Sequence, residues 1–373
     1  MNIAILGFGR VGQGIYRILM EDQAGMEREA GQAIRIKKIL VRQPDKDRGL
    51  PLASLPLTSD LDEILQDDSI QMVFEVMSEG EAGLHAIRQF LEKGKHVISA
   101  NKAAIASDFF GIQEAARRGN CHFRFEAAVA GGIPLIDPLA KLRRLNVISQ
   151  IRGILNTSTN FILSGLNEGR AKDDVMALAR RLGTLEEDPT DDLEGYDARR
   201  KLAILTAMVL AREIDERQIP CLGINDLAAE DFAWAASQNR QVKLIACLDR
   251  KPDSFSLSVL PTALPLSDRL GETPGQMNRV EIRGDRIGLL SFMGKGGGMY
   301  PTAHAIWSDF FDVLGSKALY YDQEVSDLQD LSLDREGLFY VRPAHEGEGQ
   351  LVRMSLAQAL TSHDQGHVIM ELA

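Results

Sequence analysis

The sequence predicts an α/β protein, with a parallel-sheet part at its start and an α+β part after it. Three observations carry that prediction. Apolar strand-like runs alternate with helix-like stretches as far as about residue 135, the pattern of a parallel sheet covered by helices. A glycine-rich turn, G-F-G-R-V-G at 7–12, joins the first run to the first helix. Beyond about 135, helices and strands separate instead of alternating.

The elements follow in order. N-I-A-I-L (2–6) reads as a buried parallel strand and V-G-Q-G-I-Y-R-I-L-M (11–20) as the helix after it. I-R-I-K-K-I-L-V-R (34–42) alternates at period two and reads as the second strand. M-V-F-E-V-M (72–77), A-G-L-H-A-I-R-Q-F-L-E-K-G (82–94) and K-H-V-I-S-A (95–100) read as strand, helix and strand, with Gly94 closing the helix. C-H-F-R-F-E-A-A-V (121–129) adds a further strand. Helices are expected near 174–182 and 195–213, and strands at 254–260, 279–284 and 288–294. The division is a Rossmann-type domain over 1–135, to which a helix near 301–318 returns, a second domain over 136–300, and a short C-terminal extension over 319–373. Within that extension 337–344, 354–360 and 367–372 read as strand, helix and strand.

Composition excludes several classes. At 45% hydrophobic and 25% charged residues the chain has the make-up of a globular protein, not a disordered one. A net charge of −11 argues against nucleic acid as the main partner. No apolar run is long enough to span a bilayer, and the first residues enter a strand pattern directly, without the parts of a secretion signal. Cys121, Cys221 and Cys247 are widely separated and suit a reducing cytoplasm, the expected location. Cys121 and His122 are neighbours in an extended run, so their side chains point to opposite faces and do not form a nucleophile–base pair. The acidic run Glu186, Glu187, Asp188, Asp191, Asp192 and Glu194 reads as a solvated loop, with Asp191 or Asp192 capping the helix that carries Asp197.

The turn at 7–12 carries chemistry. Gly7 permits a tight bend, Gly9 lets the backbone approach a pyrophosphate, and Gly12 allows close packing of helix on sheet. Phe8, Arg10 and Val11 complete the loop, and the helix start offers N–H groups and a positive dipole end to phosphate. The expected cofactor is therefore NADP or NAD. Arg42, at the end of the second strand, favours the 2′-phosphate of NADP.

Six further segments carry a resemblance. They are S-A-N-K (99–102), E-A-A-V-A-G-G-I-P (126–134), I-L-N-T-S-T-N-F-I-L (154–163), L-G-T-L-E-E-D-P-T-D-D-L-E-G-Y-D-A-R-R-K (182–201), Q-V-K-L-I-A (241–246) and G-K-G-G-G-M-Y-P-T-A (294–303). In this order and spacing the chain resembles the homoserine dehydrogenases over roughly residues 1–318. That resemblance implies reversible reduction of L-aspartate 4-semialdehyde to L-homoserine with NADH or NADPH, in threonine, methionine and isoleucine biosynthesis. It implies Lys201 as proton donor, Lys102 as a second lysine at the nicotinamide end, and Glu186 and Asp197 as the carboxylates that hold the amino acid. It places Ser99, Lys102, Gly183 and Gly298 along the cofactor. It also implies a structural sodium ion on the main-chain carbonyls of Glu126, Val129, Gly131 and Ile133, and a homodimer joined through the second domain.

Elementary chemistry agrees with these roles. Asp197 and Lys201 are four residues apart and share one face of a helix. Hydride addition to an aldehyde builds negative charge on oxygen, which an ammonium group can stabilise and protonate. Carboxylates suit an α-ammonium group.

The chain also departs from the family pattern. Ser78 and Glu79 stand where two glycines are common, and Thr157 where a glycine is common. These positions keep open a related oxidoreductase acting on another amino aldehyde or hydroxy amino acid. A non-catalytic, cofactor-binding regulatory paralogue is the other alternative; loss of Lys102 or Lys201 would have favoured it, and both are present. The C-terminal stretch is short for a complete regulatory domain, so threonine feedback is not implied.

Overall fold

The structure is a computed structural model and describes residues 1–51, 55–315, 320–324, 327–344 and 347–373. The chain begins β1 (Asn2–Leu6), α1 (Arg10–Glu21), α2 (Gln23–Ala30), β2 (Arg35–Leu40), β3 (Leu57–Thr58), α3 (Asp62–Leu65), β4 (Met72–Glu75), α4 (Gly80–Glu92), β5 (His96–Ser99), α5 (Lys102–Ser107), α6 (Phe109–Arg118) and β6 (Phe123–Arg124). It continues through α7 (Ile136–Leu142), β7 (Ile148–Ile154), α8 (Thr157–Asn167), α9 (Lys172–Arg181), α10 (Thr190–Leu193), α11 (Tyr196–Leu210) and α12 (Ala229–Ser237). Last come β8 (Arg240–Arg250), β9 (Ser254–Pro265), β10 (Met277–Gly284), β11 (Gly288–Lys295), α13 (Met299–Gly315), β12 (Gln329–Asp330), β13 (Glu336–Pro343), β14 (Gln350–Ser355), α14 (Leu356–Asp364) and β15 (His367–Leu372). Two compact units form. The first takes Met1–Asp137, Ala211–Glu213 and the described residues of Gly297–Glu324; the second takes Pro138–Leu210, Ile214–Gly296 and the described residues of Val325–Ala373.

In the first unit six parallel strands lie in the order β3-β2-β1-β4-β5-β6, the doubly wound Rossmann arrangement. Ile3, Ala4, Ile5 and Leu6 are fully buried, as an apolar run with helices on both faces of its sheet requires. Helix α4 stops at Gly94, whose φ of 73° lets its N–H reach Leu91 O while Lys95 N reaches Phe90 O. Helix α13 packs on α1 because Gly14 has no side chain: a Cβ there would stand 2.8 Å from Met299 Cγ. Its Trp307 and Phe310 meet Phe74 edge to face, with ring centroids 5.2 and 6.3 Å apart. The stretch 316–318, into which the sequence extends this helix, lies outside the described residues.

One expected strand is shorter than its pattern. Within 121–129 only Phe123–Arg124 is strand, and Glu126–Ala128 forms a 3₁₀ turn. Glu126 is the reason. Its buried carboxylate accepts N–H groups from Leu135, Ile136 and Asp137 at 2.6, 2.8 and 2.9 Å, which ties the turn to the start of α7.

The second unit is a mixed sheet in the order β11-β10-β7-β8-β9-β15-β13-β14, with β12 beside β9. Strand β7 escapes the sequence reading because I-S-Q-I-R-G-I does not alternate cleanly between buried and open positions. The C-terminal stretch is built into this sheet: β15 runs parallel to β9 and antiparallel to β13. The expected helix at 354–360 begins later, at Leu356, where Ser355 and Gln358 form a capping box, and Met354 and Ser355 end β14. Buried Arg342 on β13 grips Asp231 of α12 through two bonds of 2.6 and 2.9 Å. Among the described residues no helix is long and apolar enough to cross a membrane.

Candidate active and cofactor sites

The glycine turn of the first unit needs its glycines for steric reasons. Gly7 has φ 96°, donates to Leu40 O at 3.0 Å, and would bring a Cβ within 2.8 Å of Val76 O. A Cβ on Gly12 would stand 2.2 Å from Gly7 O. Gly9 differs: a Cβ there meets nothing within 4 Å, so open space faces this residue. Gly9 begins α1 without a side-chain cap, and the positive end of the helix lies at this turn. Phe8 is buried against Tyr16, Val11 is half-buried and Arg10 is exposed. Such a turn fits the pyrophosphate of a dinucleotide. Arg42 lies just beyond β2, where its Nη1 donates to Glu79 Oε1 at 2.7 Å.

Strands β4 and β5 end in a buried polar network. The Glu75 carboxylate accepts from Ser99 Oγ at 2.5 Å, Met77 N at 3.0 Å and Asn101 Nδ2 at 3.1 Å. Burial pushes its pKa up. Ser99 Oγ also accepts from Asn101 N, so this hydroxyl is committed to the network. Asn101 Oδ1 caps α5 through Ala104 N, and Lys102 is the first residue of that helix. Gly298, with φ 114°, immediately precedes α13.

Glu126, Val129, Gly131 and Ile133 are buried in the same unit. Ala130 and Gly131 turn the chain with φ 60° and 57°. Among the described residues the carbonyls of Val129, Gly131 and Ile133 accept no backbone hydrogen bond. Buried carbonyls left in this way are hard oxygen donors, and they fit a cation. Among the described residues no group of three or more His, Cys, Asp or Glu is placed to hold a metal.

In the second unit α11 presents Asp197 and Lys201, only 4% and 8% exposed. Lys201 Nζ donates to Asp197 Oδ2 at 2.6 Å and to Leu155 O at 2.8 Å. Asn156 completes the cluster. Its Nδ2 donates to Asp192 Oδ1 at 2.6 Å and Asp197 Oδ2 at 2.9 Å, and its Oδ1 caps α8 through Thr159 N. Burial, and then the Asp197 charge, raise the Asp192 pKa. Asp192 thus turns to Asn156, while Asp191 pairs with Arg200.

Glu186 is exposed on the loop before α10 and is not hydrogen-bonded into this cluster among the described residues. Gly183 closes α9 with φ 68°. Thr157 spends its hydroxyl on Asn278 Oδ1 at 3.2 Å. Sequence reasoning missed Asn156 and Asp192 as site residues. An asparagine before a helical run is an N-cap signal that could have found the first; nothing local distinguishes Asp192 from its acidic neighbours. Burial pushes the thiols of Cys121 and Cys221 up to about 12 and that of Cys247 well above its ordinary value, so none is a ready nucleophile.

A Rossmann sheet with an open glycine turn defines the first unit as a dinucleotide-binding domain, and known proteins agree. Residues 7–126 match the family model "Homoserine dehydrogenase, NAD binding domain" and residues 134–311 the model "Homoserine dehydrogenase". The homoserine dehydrogenase of Synechocystis is 37% identical over 320 residues, 84% of this chain and 73% of that protein. That of Bacillus subtilis is 32% identical over 320 residues, 86% and 74% of the two chains. The solved homoserine dehydrogenase of Thiobacillus denitrificans superposes with a TM-score of 0.89 at 28% identity, covering 100% of this chain and 98% of that one. A hyperthermophilic archaeal homoserine dehydrogenase mutant, solved in complex with NADPH, superposes with 0.69 at 26% identity over 84% and 97%. The class is that of NAD(P)-dependent oxidoreductases. The chain belongs to the homoserine dehydrogenase family.

Proposed function

We propose that the chain catalyses the reversible NAD(P)H-dependent reduction of L-aspartate 4-semialdehyde to L-homoserine, with Lys201 giving the proton to the aldehyde oxygen. The observation that carries this reading is the Lys201 ammonium, buried and aimed by Asp197 Oδ2 and Leu155 O. Bound nicotinamide supplies the hydride. As charge grows on the carbonyl oxygen, an ammonium already stripped of water stabilises it without reorganising. Asp197, Asp192 and Glu186 are the carboxylates for the α-ammonium group, and Lys102, opening α5, serves the nicotinamide end. Ser99, through the buried network, holds that end of the site in shape. Gly183 and Gly298 are the further cofactor-lining glycines.

The carbonyls of Glu126, Val129, Gly131 and Ile133 would hold a structural sodium ion. Exposed Leu289 and Met293 on the edge strand β11 support a homodimer through the second unit. Three free cysteines suit the cytoplasm. Thr157 is occupied with Asn278, so it does not favour a different substrate. The test is a spectrophotometric assay of L-homoserine oxidation with NAD and with NADP, and of the reverse reaction. Turnover with either dinucleotide is expected, and none in either direction overturns the reading.

A further inference from the structure

Three segments come together beside the glycine turn of the first unit. Leu40 O, the last carbonyl of β2, accepts from Gly7 N. Val76 lies against Gly7 so closely that a Cβ would stand 2.8 Å from its carbonyl oxygen. Arg42 follows Leu40 by two residues and Glu79 follows Val76 by three, and their side chains meet at 2.7 Å while staying 84% and 58% exposed. Neither backbone is loose. Arg48 gives its guanidinium N–H groups to the carbonyls of Gln43, Pro44 and Lys46, which folds the loop after Arg42 onto itself. Glu79 immediately precedes α4, and its carbonyl accepts from Asn101 Nδ2 of the buried Glu75 network.

The end of the second strand is where the 2′ position of the adenosine ribose falls on such a sheet. An arginine there takes a 2′-phosphate, and a carboxylate there accepts from a 2′-hydroxyl. This chain offers both groups, joined to each other.

Resting on the dinucleotide reading above, we propose that Glu79 sets the cofactor preference of this enzyme, accepting from the 2′-hydroxyl of NAD and opposing the 2′-phosphate of NADP at Arg42. An exposed pair of this kind is held weakly, so a 2′-phosphate can displace the Glu79 carboxylate. Once displaced, the carboxylate still stands within a few ångströms of a multiply charged anion and repels it. Arg42 therefore favours NADP less than an unpaired arginine would. Glu79 lies far along the chain from the second strand, so strand-end rules do not detect it.

The test uses the full chain and needs no turnover. NADPH and NADH are titrated into the unmodified protein, Glu79→Gln, Arg42→Ala and the double variant, with dinucleotide fluorescence as the readout. Glu79→Gln is expected to tighten NADPH about tenfold and to weaken NADH about two- to threefold. In the Arg42→Ala background the same change should give a smaller gain for NADPH. Equal shifts for the two dinucleotides, or none, overturn the role of Glu79 while leaving the cofactor reading intact. Failure of the unmodified protein to bind either dinucleotide overturns both.

Discussion

Each unit holds a buried carboxylate clamped by an asparagine, and the two clamps are built alike. Asn101 caps α5 with its Oδ1 and gives Nδ2 to Glu75; Asn156 caps α8 with its Oδ1 and gives Nδ2 to Asp192 and Asp197. The difference lies in what else touches the acid. Around Glu75 the other donors are a hydroxyl and a backbone N–H, neutral groups that fix a loop. Asp197 has an ammonium group at 2.6 Å. A carboxylate ringed by neutral donors is framework, whereas one that orients a mobile proton on a lysine can take part in chemistry.

Four experiments break or sharpen that contrast. Lys201→Ala is expected to lower kcat by about 10²–10⁴-fold while the dissociation constant for NADPH stays within about twofold of the unmodified value. Retention of more than about a third of kcat would remove Lys201 from the chemistry. Next, 4-hydroxybutyrate lacks the amino group that the second clamp is read to bind. Its kcat/KM should fall below that of homoserine by about 10–10²-fold, since the charge-assisted hydrogen bonds of the α-ammonium group are lost. Comparable values would reassign the carboxylates.

Asn156→Ala should lower kcat by about tenfold, because Asp192 and Asp197 lose a shared donor and Lys201 loses its aim. Asn101→Ala should act first on stability, by about 1–2 kcal/mol in chemical denaturation, through the lost cap and the freed Glu75. The reverse order of effects would erase the distinction between framework and chemistry.

The last test concerns a second buried lysine. Lys243 Nζ has only neutral partners among its bonds of 2.8–3.0 Å, namely Asn160 Oδ1, Ser164 Oγ and Thr273 O, and burial lowers its pKa from 10.5 to about 8. Between those values the unfolded chain keeps the proton and the folded chain does not, so stability from this group rises as pH climbs past 8. The gap in unfolding free energy between the unmodified protein and Lys243→Met, measured by chemical denaturation, should move in favour of the former from pH 8 to 10, by roughly 1 kcal/mol per pH unit. A gap independent of pH would mean that Lys243 keeps its proton in the folded chain across this range, and that burial does not lower its pKa.

The contrast also explains what was legible beforehand. The glycine turn could be read because its demands are local: Gly7 needs its φ, and Gly12 needs room for a carbonyl five residues away. Asp197 and Lys201 could be paired because helical spacing joins them. Asp192 with Asn156 could not, since 36 residues separate partners that only the tertiary fold brings together. The turn at Glu126 was hidden for the same reason, because the donors that bend it come from 135–137. Nor did Ser99 advertise that its hydroxyl is spent on Glu75.

The return of α13 to the first unit has a consequence for synthesis. Trp307 Nε1 donates to Ile15 O across 292 residues of chain, beside the rings that fill the core around Phe74. A ribosome adding about 5–20 residues per second would need roughly 15–60 s to span that interval. From the emergence of Asp137 until α13 is made, the first α/β segment lies outside the tunnel with an apolar face waiting for its last helix. That later stretch of translation is therefore when this chain most needs a holding chaperone, and a nascent chain halted before residue 299 should be digested by protease far faster than one released after 315.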